Sequence, residues 1–408
     1  MYTLRRRRGK RWLYILPVAI VLLGGYGFWA WKRPLPLLNP TRGSVQPQSP
    51  ANSAKLSWPA AGQSAAGLVG SPAVETHGSQ KATPTASTAK LITALVVLRA
   101  KPLAPGQQGP TVTLTPSDVA IYNNYIAQDG SLVKVQAGEQ ITEYQMLQAM
   151  LLPSANNMAD SLAIWAFGSL KAYSGAANSY LAQLGLAHTE VGTDASGFAP
   201  STTSTAGDLV RIGELVMQNP VLAQIVGQPS AGGIPVVNNI KNVNSLLGSN
   251  AIVGIKTGNT DQAGGVFISA SRTTVNGQPV TIVTALANSP SLWQAMHDSL
   301  PLIKSAQANF SLATVVRKEA VVGHYELPWG GSVPAVAVKN LSLTAWNGSP
   351  VTATVELQPI AATDQAGQTA GSVKVPKSAV SKQLSVPVKL QTTPATPSIW
   401  WRLSHPFN

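Results

Sequence analysis

Three short motifs in this 408-residue chain carry residue types that can perform acyl transfer: Ser87-Thr88-Ala89-Lys90, Ser154-Ala155-Asn156 and Lys256-Thr257-Gly258. A serine hydroxyl is a weak nucleophile until a neighbouring base takes its proton. The five histidines (His77, His188, His297, His324, His405) are scattered, and none stands where a Ser-His-Asp arrangement is suggested. Lys90 is the alternative base provided that its amine is neutral, a state favoured by burial and by a second cation such as Lys256. The chain has no cysteine, which excludes a thiol nucleophile, a thiolate metal site and a disulfide framework. The histidines also lack ligand spacing with carboxylates, so no metal and no cofactor is expected.

This chemistry depends on the elements that hold the side chains. Pro84-Thr85 is a helix-start signal, and Leu91, Ile92, Leu95, Val96 and Leu98 supply an apolar face, so a helix is expected over 85–99. A spacing of three then puts Ser87 and Lys90 on one face, and the first turn offers free N–H groups to an oxyanion. A second Ser-x-x-Lys, Ser131-Leu132-Val133-Lys134, serves as an internal control. It lies in an alternating, strand-like segment, where positions i and i+3 point to opposite faces. Ser154-Ala155-Asn156 falls between a helix at 142–152, stopped by Pro153, and another at 157–170. A turn there can present Ser154 as a proton relay and Asn156 as an amide contact to substrate or to Lys90. Lys256-Thr257-Gly258 follows a strand at 251–255, with Lys256 and Gly258 on one face and Thr257 on the other. An extended peptide lying along the strand edge can reach both side chains, which suit a carboxylate. Each motif also has an ordinary structural reading: Ser87 as an N-cap before a solvated lysine, Ser154 and Asn156 as capping residues, Lys256 at a solvated strand end.

The rest of the chain sets the context. With 44% hydrophobic and 11% charged residues it can bury a core, and its length suits two or three domains. The net charge of +13 is concentrated at the start: nine of the 29 basic residues precede position 43 with no acid among them. The remaining 20 face 16 acids, close to balance, which argues against nucleic acid as a partner. Residues 12–31 carry no charge and match the roughly 20 residues of a membrane-spanning helix. Six cations precede them against two just after, and Trp12, Tyr14, Tyr26, Trp29 and Trp31 sit towards the ends, so the expected topology is a cytoplasmic tail at 1–11, an uncleaved anchor at 12–31 and the remainder outside, with a cleaved signal peptide as the rival reading. Residues 32–55, rich in Pro, Ser, Gln and Asn, read as an extended linker. From 56 to about 312 helical and strand patterns mix, with Asn276-Gly277 as a hairpin turn. Residues 313–392 show only β-type alternation, suggesting a small sandwich-like domain. The tail at 393–408 contains Ile399-Trp400-Trp401-Arg402-Leu403, which suits either a strap on the β-domain or a membrane-interface contact.

Order, spacing and context of the motifs together resemble the serine-type D-alanyl-D-alanine carboxypeptidases, the low-molecular-mass penicillin-binding proteins. The likeness runs from about Trp58 to Phe310 and includes Leu151-Leu152-Pro153, Asp194-Ala195-Ser196-Gly197-Phe198, Ser204-Thr205-Ala206-Gly207-Asp208-Leu209 and Gly254-Ile255-Lys256-Thr257-Gly258. Ala366-Gly367-Gln368-Thr369-Ala370-Gly371-Ser372-Val373 is similar to a turn and strand of the family's C-terminal β-domain. The resemblance implies an α/β (α+β) β-lactamase/transpeptidase-like domain: an antiparallel sheet with helices on both faces plus a helical lobe, followed by a small all-β domain. It implies an acyl-enzyme on Ser87 with Lys90 as base, Ser154 and Asn156 in the relay, and Lys256, Thr257 and Gly258 at the substrate carboxylate. The N–H groups of Ser87 and Asn259 would form the oxyanion hole. Implied partners are peptidoglycan stem peptides, β-lactam antibiotics as covalent inhibitors, and the cytoplasmic membrane. Two departures stand out: Asn259 where many relatives carry His, and Ser154-Ala155-Asn156-Asn157 in place of Ser-Gly-Asn-Asp. A D,D-endopeptidase would share every motif. A β-lactamase would need a deacylating glutamate, for which only Glu190 and Glu214 lie between the second and third motifs. A non-catalytic wall-binding protein would have no reason to keep all the motif residues.

Overall fold

The computed structural model describes residues 12–42 and 54–406. The expected cytoplasmic tail with its six cations, and residues 43–53 of the expected linker, lie outside the described residues. Helix α1 (Trp12–Lys32) is apolar on all sides and largely exposed, with Ile20, Leu22 and Leu23 each more than half accessible. It is long and apolar enough to cross a membrane.

The central layer is a five-stranded antiparallel sheet. Strands β2 (Gln63–Leu68) and β3 (Val74–His77) join β4 (Ile252–Thr260), β5 (Gly264–Val275) and β6 (Gln278–Ser289) in the order β4-β5-β6-β2-β3. Alternation along the strands feeds two cores. Phe267 and Leu286 pack with Ala295, Leu302 and Ala306 of the helix 292–307, whereas Ile268 and Val283 pack with Val210 and Ile212 of the helix 206–218 on the opposite face. β5 and β6 turn at Asn276-Gly277, both at positive φ (51° and 74°), the conformation a two-residue hairpin of this hand requires.

Beside the sheet lies the helical lobe: α2 (Lys90–Ala100), α3 (Pro116–Ile126), α4 (Glu143–Leu151), α5 (Asn156–Phe167) and α6 (Leu170–Gln183), followed by α7 (Ala206–Gln218), α8 (Pro220–Val226) and α9 (Leu292–Gln307). α2 is buried on every side from Lys90 to Leu98, so its apolar content is that of a central helix rather than a half-exposed one. The sequence pattern runs α5 on to 170, but Gly168 at φ 82° ends it and Ser169 caps α6 by accepting from Ala172 N–H at 3.1 Å. The control segment 131–137 forms no strand; Val133 and Val135 point inward and Lys134 outward.

The C-terminal part is all β. A two-stranded pair, β7 (Phe310–Val316) with β10 (Leu341–Trp346), accompanies a six-stranded antiparallel sheet. That sheet contains β8 (Val321–Glu326), β9 (Ser332–Ala337), β11 (Thr354–Leu357), β12 (Thr369–Val375) and β13 (Leu384–Leu390). Its sixth strand is β1 (Pro40–Arg42), which comes from the linker: Pro40 pairs with Tyr325 and Thr41 with His324. Leu38 is buried in this domain's own core and bridges to Ile360. Residues 38–42, expected as free tether, are thus an edge strand of the β-domain, because Leu38 finds an apolar seat and Pro40 occupies a sheet edge where a missing N–H costs nothing.

Candidate active site

Ser87 lies in a 3-10 turn (Ala86–Ala89) that runs into α2, and Ala86 just before it holds φ 47°. Such a backbone is unfavourable for a residue with a Cβ and persists only when its surroundings enforce it. Gly197 supplies part of that enforcement: a Cβ there would fall 2.1 Å from Ala86 O, so only glycine, itself at φ 71°, allows the approach. Lys90 Nζ is 2.8 Å from Ser87 Oγ, 2.7 Å from Asn156 Oδ1 and 2.9 Å from Ser196 O. The amide and main-chain oxygens only accept. A neutral amine donates its two protons to them, and its lone pair then faces the one partner of the three that has a proton to give, the Ser87 hydroxyl.

The electrostatics favour that neutral form. Lys90 is fully buried, and desolvation first, then the charge of Lys256, hold its ammonium well below the usual lysine range; Asp194 and Asp160 act in the opposite direction. Lys256, also buried, is lowered to about 7 by desolvation. Its Nζ donates to Thr257 O at 3.1 Å.

Strand β4 lies at the edge of the sheet and passes Ser87. Lys256 and Gly258 pair with Ile268 and Val266, both in the core on the helical-lobe side, while Thr257 pairs with Phe267 on the α9 side. At Gly258 a Cβ would come within 3.1 Å of Ser87 N, Thr85 O and Ala86 Cβ. Close approach, rather than flexibility, is therefore what glycine provides here. The strand runs on to Asn259, which is exposed.

Ser154 is buried in the turn before α5, with φ 67°, and its hydroxyl makes no hydrogen bond among the described residues. The structure thus brings Ser87, Lys90 and Asn156 together directly and sets Gly258 against the main chain of Ser87. Ser154 stands apart from their hydrogen bonds.

The sequence reading missed the shell behind Lys90. Asp194 accepts from the N–H groups of Ser196 (2.7 Å), Gly197 (2.5 Å), Phe198 (3.2 Å) and Ala199 (2.9 Å), fixing the loop whose Ser196 carbonyl holds the lysine. Asp160 accepts from Ala195 N–H at 2.9 Å and from Tyr125 OH at 2.7 Å. Burial raises Asp160 to about 6, against the hydrogen bonds from Ala195 and Tyr125. The available signal was spacing: Asp160 lies four residues after Asn156, on the same helix face. The two glutamates weighed as deacylating groups are placed elsewhere: Glu190 is exposed, and Glu214 in α7 pairs with Arg211 at 2.7 Å.

A helical lobe against an antiparallel sheet, with a serine and lysine at their junction, is the arrangement of the penicillin-recognising serine enzymes. The sequence profile of the D-alanyl-D-alanine carboxypeptidases, peptidase S11, matches residues 74–289, more than half of the chain, and the protein belongs to that family. D-alanyl-D-alanine carboxypeptidase DacA of Escherichia coli K12 is 30% identical over 184 residues, covering 44% of this chain and 44% of DacA. A D-alanyl-D-alanine endopeptidase of Pseudomonas aeruginosa is 32% identical over 206 residues, covering 49% of this chain and 62% of the relative. The chain thus spans about half the length of these curated relatives. The fold extends further: the crystal structure of penicillin binding protein 5 from Haemophilus influenzae superposes with a TM-score of 0.57 at 20% identity, covering 86% of this chain and 99% of that one.

Proposed function

We propose that this protein is a serine-type D-Ala-D-Ala carboxypeptidase acting on peptidoglycan stem peptides. The observation that carries the reading is the contact between Ser87 Oγ and a buried Lys90 whose other two partners only accept protons. Lys90 takes the Ser87 proton as Oγ attacks the carbonyl of the penultimate D-alanine. The oxyanion is held by the N–H groups of Ser87 and Asn259. The C–N bond then breaks, and the proton passes to the leaving D-alanine through Lys90 and Ser154. Water attacks the Ser87 ester and gives its proton to Lys90, which returns it to Ser87 Oγ as the ester C–O bond breaks and the shortened peptide leaves. Lys256 and Thr257 take the terminal carboxylate, Gly258 lets substrate backbone lie close along the β4 edge, and Asn156 orients Lys90. β-Lactams, which present a strained amide to the same serine, act as covalent inhibitors.

The proposed organisation is an anchor at 12–31, a catalytic domain at 56–312 and a β-domain at 313–392, with the N-terminus in the cytoplasm and the catalytic domain outside. Release of D-alanine from a peptide ending in D-Ala-D-Ala tests the activity. The endopeptidase among the similar proteins supports a second reading, in which the same site cuts peptide cross-links. Comparing a cross-linked dimer with a free pentapeptide as substrate separates the two.

A further inference from the structure

The tail of the chain returns to the beginning. Helix α10 (Ile399–Ser404) lies against the last turns of α1. The Arg402 guanidinium donates to the main-chain oxygens of Trp31 (2.9 Å), Arg33 (3.1 Å) and Ala30 (3.4 Å). Carbonyls at a helix C-terminus lack partners within the helix, and a cation there also meets the negative end of the dipole. Tyr26 OH donates to Leu403 O, and Arg33 donates to His405 O. The far side of the tail grips the β-domain. The Trp401 ring packs edge-on against Trp329, between β8 and β9, at 5.3 Å, and Trp329 Nε1 donates to Ala395 O at 2.6 Å. The same β8 receives β1. The β-domain is therefore joined to α1 twice, through residues 33–39 and through the tail.

Several aromatic and apolar side chains stay uncovered at this junction, beside the exposed Lys32, Ser404 and His405. On α10, Trp400 is 77% and Ile399 46% exposed; on the end of α1, Trp31 is 58% and Trp29 48% exposed. Trp29 and Trp31 belong to the exposed surface of α1, and Ile399 and Trp400 lie on the helix packed against its end, at the level where a bilayer's headgroups begin if α1 spans it.

We propose that Ile399–Ser404 is a latch closing on the outer end of the membrane span, which seats Ile399 and Trp400 in the outer-leaflet interface and holds the β-domain as a fixed spacer on the membrane. The proposal rests on the reading of α1 as a transmembrane anchor. It replaces a flexible tether with a stiff stand, so the catalytic domain works at a set height.

The absence of native cysteine permits a single label. Full-length Trp400→Cys, carrying an environment-sensitive fluorophore, is reconstituted in phosphatidylglycerol–phosphatidylethanolamine vesicles and quenched either with lipids spin-labelled near the headgroup or with aqueous iodide. The latch predicts strong lipid quenching that falls at least about threefold in an added Arg402→Ala variant, with Arg402→Lys between them. Penicillin labelling in detergent should be the same in all three, which shows that the variants fold. Quenching by iodide alone overturns the proposal, as does lipid quenching indifferent to Arg402, which would mean a tail bound to lipid independently of α1. Alkaline extraction of the vesicles tests the anchor separately: release of the full chain into the supernatant sinks the transmembrane reading itself, whereas retention with no effect of Arg402 sinks only the latch.

Discussion

Asn156 and Asp160 stand one turn apart on α5 and together govern the surroundings of Lys90. Asn156 Oδ1 takes one proton of Lys90 Nζ at 2.7 Å. Asp160 takes the Ala195 N–H at 2.9 Å, one residue from the Ser196 carbonyl that holds a second proton. One helix thereby fixes a direct acceptor and the loop carrying another.

Asp160 also bears on the charge of Lys90. The ionisable groups around the lysine are Lys256 on β4, Asp194 on the loop, Asp160 on α5, Tyr125 on α3 and Tyr173 on α6; ionised Asp160 stabilises the ammonium. Asp160→Asn keeps the shape and removes that charge, so Lys90 should lose its proton more readily. The acid limb of the acylation rate is expected to move to lower pH, with the difference confined to pH above about 6, where Asp160 is ionised. A variant with lower Tm and an unmoved limb would show that Asp160 only supports the loop.

Lys256→Met should separate binding from folding. Loss of a charge-assisted contact to the substrate carboxylate costs about 1.5–3 kcal/mol, roughly ten- to a hundredfold in kcat/KM. Stability should change the other way. The folded side chain titrates near 7 and the unfolded one near 10.5. Between those values the unfolded chain binds the extra proton, so wild-type stability rises with pH, by at most about 1.4 kcal/mol per unit. The Tm advantage of Lys256→Met is therefore greatest at pH 7 and below and shrinks towards pH 10. Thermal melts across that range check the sign, and an advantage that grows with pH would refute it.

Gly258→Ala adds a methyl 3.1 Å from Ser87 N and Thr85 O. Main chain on both sides of the contact must give by a few tenths of an ångström, so acylation should slow by about tenfold or more while Tm changes little. Equal acylation rates in stopped-flow measurements with a chromogenic cephalosporin would show that the strand is free to recede.

The motif residues were legible because their chemistry follows spacing along one element. Ser87 and Lys90 are three apart at a helix start, and the structure sets them 2.8 Å apart. The Ser131–Lys134 copy has the same spacing without the helix: Ser131 meets Asn156 only through its main-chain oxygen, which accepts from Asn156 N–H at 2.8 Å, and Lys134 is exposed. Asp194 stands in a segment the family resemblance picks out, but its role as the local hydrogen-bond acceptor of that loop was not read from it. Tyr125 was not legible, since its role depends on contacts between segments far apart in sequence. Tyr125 OH, for example, reaches Ser196 Oγ at 3.2 Å across 71 positions. Likewise nothing local in Leu38-Asn39-Pro40-Thr41 distinguishes a tether from an edge strand. The distinction comes from Tyr325 and Ile360, nearly three hundred residues or more away.

The central claim is that Ser87 is the nucleophile, and intact-mass analysis with peptide mapping after exposure to penicillin tests it most directly. The wild-type protein and Ser131→Ala should each gain one penicilloyl group on the peptide containing Ser87, and Ser87→Ala should gain none. A penicilloyl group on any other serine, or undiminished labelling of Ser87→Ala, would contradict the assignment.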